Sequence, residues 1–147
     1  MYLDYTGIRV TNLARSVRFY TRTLGLREVR RGDTRVWGGG IWVLLKDPKS
    51  GCLLELNWYP RGSIFYTRYR RGEELDHLDF SLGSVSRAVL ERTYRKVLKG
   101  GARATRFRPS TTEGWSAMVK DPDGVWIAIY RQPTPAEQRK ANAKGGG

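Results

Sequence analysis

The chain has 147 residues, 39% of them hydrophobic and 12% aromatic, which suits one globular domain or two small modules sharing a core and excludes a disordered chain. Its single cysteine, Cys52, excludes an internal disulfide and a cysteine-based zinc site. Lys and Arg total 27 against 14 Asp and Glu, a net charge of +13, which favours an anionic partner: nucleic acid, an acidic membrane surface, or a phosphorylated or carboxylated small molecule.

In chain order, Ile8, Val10 and Leu13 lead from an alternating strand into a helical pattern at Val17, Tyr20, Thr21 and Leu24. Asn12 is the expected N-cap and Gly25 the expected stop. A middle strand is expected near Arg27–Arg35, and Gly38–Gly40 reads as a turn between strands. It is not a phosphate loop, because neither Lys-Ser/Thr nor a helix start follows. Ile41–Leu56 reads as strand, Lys-Asp-Pro turn and strand, a hairpin by its turn chemistry.

The pattern then repeats. Tyr5–Gly25 aligns with His77–Gly101 at an offset of 72, and Glu55 aligns with Ala128 at an offset of 73. In the second copy, Phe80, Leu82 and Val85 lead into a helix through Val89, Leu90, Tyr94 and Val97, capped at Ser84 or Ser86. A middle strand is expected near Ala104–Phe107, followed by the hairpin around Lys120-Asp121-Pro122. The predicted organisation is a first βαβββ module over residues 4–58, a linker or lid over 59–74, a second βαβββ module over 75–131, and a flexible tail over 132–147. The fold class is α+β.

IRVTNLARSVRFYTRTLG and VKDPDGVWIAIY resemble the opening strand and helix, and the closing hairpin, of the vicinal oxygen chelate superfamily. That group includes glyoxalase I, extradiol dioxygenases, and fosfomycin and bleomycin resistance proteins. The resemblance spans about residues 4–131. It implies two βαβββ modules forming a curled eight-stranded sheet around an open cavity, with metal ligands on the first and last strand of each module. Those positions are Tyr5, Glu55, His77 and Ala128, and the internal repeat pairs the same residues. The family pattern is His, Glu, His, Glu; this chain keeps Glu55 and His77.

Two ligands fall short of the three protein ligands that a catalytic divalent site ordinarily uses. Tyr5, a phenol with pKa about 10, is a poor third ligand, and Ala128 is none. The expectation is a divalent metal (Zn, Ni or Fe) bound weakly or absent. His77 also fits a neutral, hydrogen-bonded core histidine. Glu55 lies in the apolar run Cys-Leu-Leu-Glu-Leu-Asn-Trp, where a carboxylate is costly unless a cavity or an arginine accepts it. Alternation puts Leu53, Glu55 and Asn57 on one face and Leu54, Leu56 and Trp58 on the other; a cavity wall is the preferred reading. Without a metal, Glu55 and His77 can still serve as a base and an acid.

Trp37, Trp42, Trp58, Trp115 and Trp126 are expected to fill core or pair across strands. Tyr5, Trp58, Trp126 and Arg70 are the candidate ligand-binding residues. Arg70 belongs to the basic, aromatic run Tyr66–Arg71, which reads as a solvated linker or as a lid whose arginines hold a carboxylate or phosphate. Two functions stay open: a lyase- or dioxygenase-like enzyme acting on a small anionic molecule, and a non-catalytic binding or resistance protein without metal. Charge alone suggests nucleic acid, and no nucleic-acid motif supports it. The N-terminus lacks a secretory apolar core and no run reaches the ~20 residues of a membrane helix, so a cytoplasmic protein is expected. Open sheet edges make a homodimer the expected assembly.

Overall fold

The computed structural model describes residues 4–70, 75 and 77–144. They form two α+β units that divide between residues 72 and 73, each built on a four-stranded mixed sheet. The last part of the expected linker, residues 71–74, lies outside the described residues.

The first unit runs β1 (Thr6–Arg9), α1 (Leu13–Arg18), β2 (Arg27–Asp33), β3 (Ile41–Lys46) and β4 (Leu53–Trp58). Its sheet order is β1-β4-β3-β2, with β1 parallel to β4 and the other pairs antiparallel. Asn12 caps α1 by accepting the Arg15 amide at 3.0 Å, satisfying one of the donors a helix start leaves open. The helix then widens into a π turn over Phe19–Thr23, and Gly25 follows at φ 89°. Tyr20, Val43, Leu45 and Leu56 are fully buried, with Ile8 and Phe19 close to it. They form the core beneath the helix, and the alternate residues of each strand face the other way.

The second unit repeats this plan as β5 (Leu78–Ser84), α2 (Arg87–Lys99), β6 (Arg103–Ala104), β7 (Ser116–Lys120) and β8 (Trp126–Gln132), with sheet order β5-β8-β7-β6. The repeat extends to the register. Thr6 pairs with Leu54 in the first sheet and Leu78 with Ile127 in the second, the same offsets of 72 and 73 read from the sequence. Leu90, Tyr94 and Val97 bury one side of α2 against Val119, Ile127 and Ile129, the spacing of a single helical face. Both Lys-Asp-Pro turns form as expected. Asp47 accepts the Lys49 amide and the Ser50 hydroxyl, and buried Asp121 accepts the amides of Asp123, Gly124 and Val125 with one oxygen.

Three local expectations change. The second middle strand is only Arg103–Ala104; beyond it the Thr105 hydroxyl donates to the Met118 carbonyl and the Met118 amide donates to the Phe107 carbonyl. Ser86, at the N-cap position of α2, makes no capping bond. The tail expected to be flexible contains a helix, α3 (Pro135–Lys144). Its start is a capping box: Thr134 accepts the Glu137 amide, and Glu137 accepts the Thr134 amide. Glu137 also binds Arg131, whose buried guanidinium donates to the carbonyls of Gly114 (2.7 Å) and Val85 (2.9 Å) and to both Glu137 oxygens (2.8 and 2.9 Å). The cation lies 4.3 Å from the Trp115 ring centre. Among the described residues no helix is long and apolar enough to cross a membrane.

Candidate functional site

The face of the first sheet turned away from its helix carries the candidate residues Glu55 and Asn57. Leu54 and Leu56 are buried on the helix side of β4, which turns Leu53, Glu55 and Asn57 to the open side, as alternation predicts. Gly7 of β1 stands opposite Glu55. A Cβ at Gly7 would lie 3.3 Å from the Asn57 amide nitrogen and 4.0 Å from a Glu55 oxygen, so the missing side chain leaves that carboxylate uncovered.

Glu55, Asn57 and Tyr59 form a hydrogen-bonded chain. The Asn57 amide donates to Glu55 Oε1 at 3.0 Å, and the Tyr59 hydroxyl donates to Asn57 Oδ1 at 3.2 Å. Burial pushes the Tyr59 phenol above its ordinary pKa; the Arg9 cation opposes that rise, and the charges of Glu55 and Tyr5 reinforce it. The phenol therefore stays protonated and acts as a donor. Arg9 lies 5.1 Å from the Tyr59 ring centre and donates to the Phe65 carbonyl and to Thr67. These contacts tie the loop after β4 to β1. Arg9, Thr11, Tyr59, Tyr66, Thr67 and Tyr69 line a pocket of about 190 Å³ there, together with Val10 and Trp58.

Tyr5 is exposed just before β1, and its charge is felt at Tyr59, so the structure brings Tyr5 and Glu55 to one neighbourhood. Trp58 is on the opposite face of β4 from Glu55, as alternation requires, and lines a groove beside α1. Arg70 is exposed and is not one of the residues lining the 190 Å³ pocket.

In the second unit His77 is exposed at the start of β5, with Nε2 3.5 Å from Asp79 Oδ2, so the core-histidine alternative does not hold. Asp79 stands opposite Ala128, which is 8% exposed. A carboxylate thus occurs on the strand beside the position where the repeat lacks one. Met118 is the other cross-strand neighbour of Ala128. Trp126 is half-buried, with Lys120 4.3 Å from its ring centre and Phe107 at 6.5 Å.

Of the two roles expected of the tryptophans, pairing across strands is the one seen: Trp58 pairs with Ile41, Trp42 with Gly32 and Trp126 with Lys120. Trp42, Trp58 and Trp126 are half-buried and Trp115 is exposed, and three of these four lie against a cation: Trp42 on Arg30, Trp115 on Arg131 and Trp126 on Lys120. Sequence reasoning missed Arg9, Tyr59 and Asp79. The signal for each was available, since Arg9 and Asp79 fall an even number of residues from Tyr5 and His77, and Tyr59 from Glu55, hence on the same strand face.

In the first unit, Glu55 keeps its second carboxylate oxygen outside the Asn57 bond. Among the described residues no three His, Cys, Asp or Glu side chains group closely enough to hold a metal.

The sequence pattern of the Glyoxalase/Bleomycin resistance protein/Dioxygenase superfamily matches residues 2–129. The chain is 26% identical to the lactoylglutathione lyase of Shigella flexneri over 137 residues, covering 90% of this chain and 93% of that one. The structure resembles the trypanothione-dependent glyoxalase I of Leishmania major, with a TM-score of 0.67 and 25% identity over 99% of this chain and 96% of that chain. It also shares its fold with the genomically encoded fosfomycin resistance protein FosX of Listeria monocytogenes, with a TM-score of 0.62 and 15% identity over 95% and 96% of the two chains.

Proposed function

Because this chain belongs to the Glyoxalase/Bleomycin resistance protein/Dioxygenase superfamily, we propose that it acts on a small anionic organic molecule at the open face of its first sheet, using an incomplete metal site. The observation that carries the reading is the Tyr59–Asn57–Glu55 hydrogen-bonded chain beside Arg9. A carboxylate on an otherwise apolar strand costs stability unless it has work to do or a partner, and here its partner is a neutral amide that leaves its charge intact.

Each residue then has a task. Arg9 retains donors beyond its contacts with Phe65 and Thr67, and presents a cation to an anionic substrate group. Asn57 holds Glu55 in one orientation, and Tyr59 fixes which way the Asn57 amide faces. Glu55 Oε2 is the atom that accepts a proton or a metal. Glu55 and His77 are the proposed metal ligands, with Tyr5 beside the site and Trp126 and Arg70 as further substrate contacts. A bound Zn, Ni or Fe ion would supply Lewis-acid polarisation of a substrate oxygen. The relatives support this choice: lactoylglutathione lyase is a lyase by name, and FosX is known in complex with Mn(II) and sulfate. A cytoplasmic homodimer is part of the same proposal.

Calorimetric titration with Ni²⁺ and an assay for lactoylglutathione formation test the reading together. We expect weak Ni²⁺ binding by the wild type, none by Glu55→Gln or His77→Ala, and at least tenfold tighter binding by Ala128→Glu. Ni²⁺ binding that Glu55→Gln leaves unchanged refutes the assigned ligand. The second reading, a binding protein without metal, is favoured by one observation: Ala128, at the position where a carboxylate would sit, is buried. Negligible Ni²⁺ binding by both the wild type and Ala128→Glu selects it.

A further inference from the structure

On the other side of the first sheet lies a groove of about 610 Å³, lined by Leu13, Ala14, Val17, Arg18, Thr21 and Arg22 of the helix and π turn and by Arg31, Ile41 and Trp58 of the sheet. We propose that this groove is a second ligand site, separate from the Glu55 face, for a small amphipathic anion with an apolar body and a carboxylate head.

The apolar half follows from how the helix covers the sheet. Val43, Leu45 and Leu56 are completely buried under it, but Ile41 and Trp58, a cross-strand pair at the end of β3 and β4, remain half-buried. With Leu13 and Val17 they give the groove an apolar floor. Its volume falls within the range of pockets that hold small organic ligands, roughly 300–1,000 Å³.

The charged half is the rim. The lining has three arginines and no acid. Arg31 is engaged by Glu28 through two bonds of 2.9 and 3.0 Å, so the charge offered to a ligand comes from Arg18 and Arg22. These two are like charges four residues apart, an arrangement that disfavours a helix. A carboxylate seated between Arg18 and Arg22 would relieve that repulsion. The π turn begins immediately after Arg18 and includes Arg22, and such turns often mark functional sites.

Decanoate, decanol and decylamine, titrated calorimetrically into the full chain, are the probes. Decanoate is expected to bind one per chain, decanol at least tenfold more weakly, and decylamine not at all. Arg18→Gln with Arg22→Gln should weaken decanoate at least tenfold. Val17→Phe, which fills the groove, should abolish binding while the circular dichroism spectrum stays unchanged. Glu55→Gln should leave decanoate affinity intact, so the outcome is independent of the Glu55 site. Decanol and decanoate binding equally, decanoate indifferent to the arginine changes, or no binding at all overturns the proposal. A wild-type dimer that dissociates on Val17→Phe without any decanoate binding would assign the groove to a second copy of the chain, and overturns it as well.

Discussion

Replacing Arg131 with Met removes the most connected cation in the second unit and keeps a side chain of similar length. Arg131 is 6% exposed and its guanidinium satisfies the Gly114 and Val85 carbonyls, which belong to the segments preceding β7 and α2. Methionine leaves both carbonyls without a donor. A hydrogen bond to a charged group contributes about 1.5–3 kcal/mol, and breaking it from one side adds the cost of a buried polar group left alone. Two such bonds give a loss of roughly 3–5 kcal/mol, in the range seen when one member of a buried ionic cluster is removed. The Glu137 carboxylate reaches solvent and is left out of that figure. At roughly 2–4 °C per kcal/mol for a chain of this size, Arg131→Met should lower Tm by about 6–20 °C. Urea denaturation and thermal melts followed by circular dichroism measure both quantities. Glu137→Gln, which spares the two carbonyl bonds, should be much milder. If Arg131→Met stays within about 1 kcal/mol of the wild type, the carbonyl bonds are not what holds β8 to its neighbours, and the reasoning fails.

Glu137 supplies a second prediction, in pH. Its side-chain bond to Arg131, followed by the Thr134 amide, holds its pKa at about 2, against 4.5 unperturbed. A depressed folded-state value means that its contribution is present above about pH 4.5 and is lost as pH falls towards 2. The stability gap between the wild type and Glu137→Gln should therefore close over that window, and a gap constant from pH 6 to pH 2 would contradict the assignment. Asn57→Leu should weaken Ni²⁺ binding by about 10–100-fold, the usual effect of removing a group that orients a ligand; an unchanged affinity would show that Glu55 needs no positioning. Gly32→Ala places a Cβ 2.3 Å from the Trp42 ring. The indole must move off Arg30, so urea denaturation should show a loss of about 1–3 kcal/mol from overpacking, and no loss would mean that Trp42 rests there loosely.

The repeat made the fold legible. Because Tyr5 aligns with His77 and Glu55 with Ala128, the second module is expected to repeat the first, and the paired positions of the two sheets are related by the same offsets. The face of Glu55 was legible for the simpler reason that the buried Leu54 and Leu56 flank it. Contacts between residues distant in sequence were not. Arg9 reaching Phe65, and Arg131 joining Gly114, Val85 and Glu137, depend on where loops return, which strand periodicity does not encode. Thr134-Pro135-Ala136-Glu137 is a different omission: the capping pattern was present in the sequence, but the polar composition after it argued for a loose end. Trp58, on the opposite face of β4 from Glu55, lines both the pocket beside Arg9 and Tyr59 and the groove beside α1.

The order β1-β4-β3-β2 has a consequence for synthesis on the ribosome. β4 is inserted between β1 and β3, so Thr6 has no strand partner until Leu54 has been made. Before that moment only the antiparallel ribbon of β2 and β3 can form, and a lone two-stranded ribbon is marginal in water. Nascent chains cut short before residue 53 should thus be protease-sensitive, and those that include Trp58 and have cleared the exit tunnel should resist digestion. In each unit the first strand finds its sheet partner only when the last strand has been made.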